Sequence, residues 1–380
     1  MRFFWSITFL LGLPVLLLSA PASAEPYLAV HTGQKCMACH VNPTGGGKRT
    51  EYGTLYGNTI LPAGRLGSIE NILGSGKTKS GTDSTATQVW DGRITDYFAV
   101  GADLRTGLKS TIVPNAENQL AFDLERTTVY FDLRIIPNRL SLYVDQRVAP
   151  GAALNREAYV LLWSEQHTAY FKAGRLFLPY GLRLEDDGAF VRQVSGINFN
   201  SSDNGVEGGL ELGPWSLNLA VTNGTAGAGE TNTGKQFSLL TSLVYPSWRV
   251  GASYNANDNG VNDRHMQNVF AGLRTGFISW LGEADYFIDD GTSTGRRKSW
   301  AGLAEANAEV IKGHNLKLTY EYYDPNLDVE EDQRTRSSLV WEYTPFQAMR
   351  LRAGYRRNQG IPQNNLQNAE EIFLQLHTYL

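Results

Sequence analysis

Cysteine is scarce in this sequence of 380 residues, which contains only Cys36 and Cys39. One pair cannot form the set of disulfides that stabilises a small secreted scaffold. A structural zinc site normally takes four nitrogen or sulfur ligands, and the sequence has no second cysteine pair. A local disulfide and half of a zinc site remain the ordinary interpretations of such a pair.

Long apolar runs are also lacking after the N-terminus. Residues 1–24 combine Arg2, an apolar core and the small residues Ala22-Ser23-Ala24, which predicts a secretory signal peptide. A membrane anchor is the alternative, but Pro14 interrupts the apolar core. After residue 24 we find no run of about 18 apolar residues, so no transmembrane helix is predicted. We therefore expect an exported protein.

A strong net charge is missing as well. The formal net charge is −4, which argues against a nucleic-acid partner. In contrast, the sequence is rich in glycine, with 39 residues, and in aromatic residues, with 18 tyrosines and 8 tryptophans. Together with many short segments, this composition is typical of an all-β protein.

The two cysteines belong to the pattern Cys36-Met37-Ala38-Cys39-His40. C-x-x-C-H is the pattern by which haem is attached covalently to a protein. The two thiols add to the haem vinyl groups, and the adjacent His40 becomes an axial ligand of the iron. We therefore predict one covalent haem c, with Cys36, Cys39 and His40 as its attachment site.

The composition changes twice along the chain. Residues 25–63 carry the haem pattern and are predicted to be a small cytochrome c-like segment. Residues 64–88 are rich in glycine, serine and threonine, which indicates a linker. Residues 89–380 change to alternation of apolar and polar residues with a period of two, as expected for strands with one apolar face.

About 16 such strands can be counted, and their connections alternate between short and long. Short turns on one side and long polar loops on the other are typical of an outer-membrane barrel. The short turns are predicted at 137–138, 166–167, 213–214, 246–247, 276–277, 313–314 and 345–346. The long loops are predicted near 111–118, 149–155, 182–203, 224–234, 257–266, 290–295, 325–333 and 358–367. A soluble sandwich is the alternative, but it rarely places so many charges on one strand face. The prediction is an all-β, antiparallel transmembrane barrel of about 16 strands in the outer membrane of a Gram-negative cell.

The segment from Thr32 to His40, followed by Pro43 and Tyr52-Gly53, resembles the start of the fused monohaem cytochrome–porins of iron-oxidising bacteria. Leu178-Pro179-Tyr180-Gly181 also resembles a stretch common in substrate-selective porins. The resemblance to the cytochrome–porins implies a haem segment fused to a porin of about 16 strands. It also implies oxidation of extracellular ferrous iron, with a periplasmic carrier such as a soluble cytochrome c as the electron acceptor.

The second axial ligand of the iron could be histidine, methionine or absent. His31 is the nearest candidate in sequence. His377 on the last strand, and His167 and His314 in short turns, are weaker candidates, and Met37 lies within the attachment loop itself. For each of these histidines, a simple polar role is the alternative.

Two features of the predicted barrel lumen leave alternatives open. The long loop near 182–203 either folds into the pore or stays in solvent. Arg350, Arg352 and Arg356 share one polar strand face and either lie near the haem propionates or form salt bridges within the lumen.

The sequence thus favours an electron-transfer protein of the outer membrane, with an Fe(II)-oxidising activity left undecided. Two other functions remain open. One is a channel whose haem segment plugs or gates the pore, and the other is electron flow outward to an external acceptor.

Overall fold

The computed structural model describes residues 25–64, 90–258, 263–292 and 295–380. The predicted signal peptide and nearly all of the predicted linker lie outside the described residues. The domain boundaries at 24, 63 and 88 therefore stay predictions.

Sixteen strands form a single antiparallel sheet, and β1 pairs with β16 to close it into a barrel. This arrangement confirms the predicted fold class. The strands are β1 (Phe98–Ile112), β2 (Gln119–Ile136), β3 (Leu140–Ala149), β4 (Leu154–Trp163), β5 (Ala169–Leu176), β6 (Asp203–Leu212), β7 (Trp215–Thr222), β8 (Gln236–Tyr245), β9 (Trp248–Asp258), β10 (Asp263–Thr275), β11 (Ile278–Thr292), β12 (Gly295–Ile311), β13 (His314–Asp324), β14 (Arg334–Tyr343), β15 (Met349–Gln359) and β16 (Glu370–Tyr379).

Side chains alternate between the two faces of the barrel wall. On β13, Lys317, Thr319 and Glu321 are buried in the interior, whereas Leu316 and Leu318 are exposed on the outside. The same alternation of apolar-out and polar-in residues recurs on the other strands. An apolar outer face on a closed barrel is suited to lipid, because closure lets neighbouring strands pair their backbone polar groups all round the wall. The protein is an outer-membrane β-barrel.

All seven predicted short turns are found at junctions between strands, although His314, predicted in a turn, is the first residue of β13. The loops expected at 257–266 and 290–295 were predicted too long. β9 continues to Asp258 and β10 begins at Asp263, while β11 continues to Thr292 and β12 begins at Gly295. The extended strand ends carry polar residues on both faces, as at Asp289 and Asp290, so the alternation that marks a strand is lost there.

The segment preceding the barrel folds inside the lumen. Its described residues, 25–64, include the helices α1 (Pro26–Thr32), α2 (Cys36–Cys39) and α3 (Glu51–Thr59). A Cβ on Gly33 would lie 2.5 Å from the backbone of Pro246 in a short turn, and Ala63 N donates to Thr344 O beside another short turn. The segment therefore enters through the short-turn end of the barrel.

The longest loop, residues 177–202, also lies inside the barrel. It carries a short helix, α4 (Phe190–Ser195), and buries Leu178, Leu182 and Val191 almost completely. Of the two alternatives left open by the sequence for this loop, the structure shows that it folds into the pore. The interior of the barrel thus holds two inserted elements, the N-terminal segment and the 177–202 loop.

Among the residues that the structure describes, no helix combines enough length and apolarity to cross a bilayer.

Candidate functional site

The C-x-x-C-H motif forms a single helical turn that is held from both sides. His40 N donates to Cys36 O at 2.9 Å, which closes the turn. Thr50, at the N-terminus of α3, donates to Cys39 O through its backbone N at 3.0 Å and to Ala38 O through its hydroxyl at 2.7 Å. α3 therefore fixes the carbonyl groups of the motif and leaves the side chains of Cys36, Cys39 and His40 to line a cavity.

A run of three glycines forms the opposite wall of this cavity. Gly45, Gly46 and Gly47 all have positive φ angles, of +93°, +82° and +65°. A Cβ on Gly45 would lie 3.3 Å from the Cβ of Cys36, and a Cβ on Gly46 would lie 2.6 Å from the ring of Phe199. Glycine is needed here for both its backbone conformation and its lack of a side chain.

Burial favours the neutral forms of His40 and Cys39. Burial, together with the nearby Arg49, lowers the pKa of His40 to about 4. The buried Nδ1 of His40 has no hydrogen-bond partner among the described residues. Burial also raises the pKa of Cys39 to about 11. A neutral imidazole is the form that binds a metal ion.

The donor set fits a covalently attached haem. Cys36 and Cys39 are free thiols in the structure, and both line a cavity of about 1640 Å³ that includes open solvent. Within the described part of the chain, no group of three or more His, Cys, Asp or Glu side chains could hold a metal ion.

Long-range polar contacts fix the motif-bearing segment to the barrel wall. Asn42 is fully buried, donates to Glu157 Oε1 at 2.9 Å and accepts from Lys172 Nζ at 3.2 Å. Lys48 N donates to the hydroxyl of Tyr143 at 2.7 Å, and Lys35 pairs with a carboxylate of β6. These bonds join residues on both sides of the motif to strands β3 to β6.

The histidines considered as a second axial ligand occupy distinct environments. His377 lines the same cavity, but its Nε2 lies 2.6 Å from Asp103 Oδ2 and its Nδ1 lies 3.0 Å from Arg350 Nη2. Both ring nitrogens are thus engaged in this arrangement. His31 Nε2 lies 3.2 Å from Glu309 Oε2 on β12, and its assignment as second ligand stays a prediction. His314 stacks on Trp341 and Tyr343 near the short-turn end of the barrel.

The arginines predicted on one face of β15 form salt bridges, mainly with the 177–202 loop, which we call the inward loop. Arg350 pairs with Glu185, and Arg356 pairs with Asp186. Arg352 Nε lies 3.0 Å from Glu342 Oε1 on β14. Since each has a carboxylate partner, the structure favours the salt-bridged alternative for this face.

Another group of arginines beside the motif could not be identified from the sequence. Arg126 on β2, Arg156 on β4 and Arg183 in the 177–202 loop all line the cavity around Phe199. Their guanidinium carbons lie 5.3, 5.1 and 5.9 Å from the centre of that ring. The three residues are far apart in sequence and share no local motif, so only the folded barrel brings them together.

Comparisons with known proteins identify the fold. No family model matches the chain, and no curated protein sequence matches it. Among solved structures, an anion-selective porin from Comamonas acidovorans has a TM-score of 0.59 at 11% identity, covering 74% of this chain and 99% of that one. A loop L8 deletion mutant of OmpT from Vibrio cholerae also has a TM-score of 0.59, at 13% identity, with coverage of 75% and 100%. OmpF of Salmonella typhi, solved with daunomycin, has a TM-score of 0.57 at 11% identity, with coverage of 75% and 98%.

The chain has the fold of an outer-membrane porin. At identities of 11–13% this likeness concerns the barrel and says nothing of what passes through it. The matched portion is about three quarters of this chain, whereas the solved porins are covered almost completely. Residues 98–379, from the first strand to the last, make up a similar fraction of the sequence.

Proposed function

We propose that this protein transfers single electrons across the outer membrane by means of one haem c attached to Cys36 and Cys39 inside the barrel. The observation that carries the proposal is the position of the C-x-x-C-H turn, which lies within the lumen and opens on a large cavity. A bound haem supplies one-electron chemistry. His40 would be its axial ligand, and its neutral imidazole is suited to that role.

The surrounding residues would hold the group in one position. The Thr50 bonds fix the carbonyls of the attachment turn, and Asn42 fixes the following loop to the barrel wall. The rate of electron tunnelling falls steeply with distance. A haem held within the lumen would shorten the distance to an electron donor or acceptor at either end of the barrel. A periplasmic carrier such as a soluble cytochrome c would approach the short-turn end.

Extracellular ferrous iron is the donor we propose at the long-loop end. Asp328, Glu330 and Glu331 are exposed in the loop between β13 and β14, whereas Asp289 and Asp290 already pair with arginines. Exposed carboxylates concentrate hard divalent cations near the mouth of the barrel. Outward flow to an external acceptor would use the same site in the opposite direction.

The test is haem loading followed by reduction with Fe(II). The full chain is expressed together with a haem-attachment system, and haem is measured by stained denaturing gel and by intact mass. We expect one haem per chain in the wild type and in Met37→Leu, which keeps the C-x-x-C-H pattern. The double variant Cys36→Ser/Cys39→Ser should carry none. A wild type without covalent haem would reject the proposal.

Stopped-flow spectroscopy then identifies the donor. Mixing Fe(II) with the oxidised, haem-loaded protein under anaerobic conditions should produce the reduced spectrum. Reduction by other donors but not by Fe(II) would exclude ferrous iron while leaving electron transfer in place.

A channel is the second candidate, and the likeness of the barrel to solved porins favours it. In that case the N-terminal segment acts as a plug or gate. Solute-dependent conductance of the purified protein in planar bilayers, without electron transfer to the haem, would support this function instead.

A further inference from the structure

The basic cluster beside the motif consists of Arg126, Arg156 and Arg183, arranged around Phe199. Arg126 pairs with Asp187, and Arg156 Nε lies 3.6 Å from Asp145 Oδ1. Two of the three positive charges therefore have a carboxylate partner. Arg183 makes its hydrogen bonds to neutral groups, since its Nη2 donates to Thr44 Oγ1 at 3.3 Å and to Leu178 O at 3.1 Å.

Arg183 has unused capacity to bind an anion. Its Nε is buried and has no hydrogen-bond partner among the described residues. Burial lowers the pKa of Arg183, which is what an incompletely compensated cation shows. A buried donor without an acceptor is unfavourable, more so in a charged group, so an anion in the cavity would relieve this cost.

The cluster directly adjoins the haem-attachment turn. A Cβ on Gly46 would lie 2.9 Å from the Cδ of Arg183 and 2.6 Å from the ring of Phe199. The preceding Gly45 packs against the side chain of Cys36. One residue of the glycine run thus contacts the cluster while its neighbour contacts the attachment site.

We propose that Arg183, supported by Arg126 and Arg156, is a binding site for a carboxylate group within the lumen. The planar guanidinium can bind a carboxylate through two parallel hydrogen bonds. The ring of Phe199 lies close to the guanidinium groups and stabilises them by cation–π interactions. The carboxylate has two sources, a propionate of the attached haem or a free anion that enters the barrel. The first source rests on the proposed function, and the second does not.

Three variants of the full chain test the proposal. Arg183→Gln removes the charge and keeps a donor, Arg183→Lys keeps the charge, and Arg139→Gln changes an exposed arginine at a short turn as the control. Resistance of the barrel to unfolding in detergent on unheated gels shows that each variant has assembled. In the haem-loaded protein, resonance Raman spectroscopy follows the propionate bending bands.

Arg183→Gln should shift the propionate bands, while Arg139→Gln should leave them in place. In the haem-free Cys36→Ser/Cys39→Ser background, calorimetry follows the binding of free propionate. If the anion is free, adding Arg183→Gln should weaken binding about tenfold or more, and Arg183→Lys, which keeps the charge but loses the two parallel hydrogen bonds, should weaken it less.

The outcomes separate the two sources. A band shift assigns the carboxylate to the haem, and Arg183-dependent binding of free propionate without a band shift assigns it to a free anion. If neither depends on Arg183, the proposed site is wrong. If the wild type carries no covalent haem, the proposed function fails, and the calorimetry alone decides whether the anion site exists.

Discussion

At the scale of single residues, the attachment turn depends on how closely its neighbours approach. Gly53 on α3 lies against the motif, so that a Cβ there would come within 2.2 Å of Cys39 O. Gly57, one turn later on the same helix, would place its Cβ 3.8 Å from the ring of Tyr379, which is ordinary van der Waals contact. The two glycines therefore form a matched pair in which only one is required by packing.

We expect Gly53→Ala to displace the C-x-x-C-H turn and to reduce the yield of the proposed covalent haem, because α3 must move away from Cys39. Gly57→Ala should leave the yield unchanged, since alanine is favoured over glycine in helices by about 1 kcal/mol. Haem per chain is measured by absorbance on protein purified in parallel. Equal yields for the two variants would show that contact between α3 and Cys39 is unimportant for attachment.

At the scale of structural elements, the inward loop is held by paired charges on neighbouring strands. Burial alone would raise the pKa of Glu185, but Arg105, Arg350 and Arg352 hold it well below its ordinary value. Asp186 has a lowered pKa for the same reason, because Arg356 and Arg336 outweigh its burial. These carboxylates stay ionised in the folded protein under mildly acidic conditions.

The sign of the resulting pH dependence follows from these lowered pKa values. A depressed pKa stabilises the folded state above the ordinary value of about 4.3 for Glu, and this stability is lost only as pH falls through the folded pKa. We therefore expect the loop to stay docked from pH 7 to about pH 4. Glu185→Gln should weaken it already at pH 7, because breaking a buried pair costs about 3–5 kcal/mol. Glu117→Gln, in an exposed loop, is the control.

The measurement for this prediction is the temperature at which the barrel unfolds in detergent, recorded at each pH by gel mobility. A lower temperature for Glu185→Gln than for Glu117→Gln at pH 7 is expected. Coincident curves for wild type and Glu185→Gln across the pH range would mean that the pairs of Glu185 do not anchor the loop.

The strands and turns could be predicted from the sequence because a barrel wall has a local signature. Each strand places one side chain in lipid and the next in the lumen, and both solvents select residues at every second position. The extended ends of β9 to β12 were missed because both faces are polar there. The inward loop was left as an alternative, since its partners Arg105 and Arg350 lie on β1 and β15.

Of the candidate site, only the C-x-x-C-H motif can be recognised in the sequence, and the haem at this motif stays a prediction. Cys36, Cys39 and His40 lie within five positions of one another, whereas the basic cluster is assembled from β2, β4 and the inward loop. The bond from Asn42 to Glu157 spans 115 positions, and no periodicity marks either residue. Sequence patterns report local geometry and burial, and these contacts depend instead on how the segment fits into the lumen.

At the scale of the whole molecule, the lumen of the barrel contains two elements that do not belong to its wall. The N-terminal segment enters from the short-turn end, and the 177–202 loop fills the interior from the other side. Between them lies the cavity that the motif and the basic cluster share. Electrons can cross such an interior by tunnelling, whereas hydrated solutes need continuous open space.

We therefore expect low conductance from the intact chain in planar bilayers and a several-fold increase when residues 25–64 are deleted after the predicted signal peptide. A barrel of 16 strands encloses an aqueous channel once its interior is cleared, and the inward loop alone would narrow it. Glu117→Gln, which changes only an exposed loop, should conduct like the wild type. Gel mobility without heating shows that the deletion variant has assembled as a barrel. If the assembled deletion variant conducts no better than the intact chain, the N-terminal segment does not obstruct the lumen, and the interior route for solutes is closed by the loop alone.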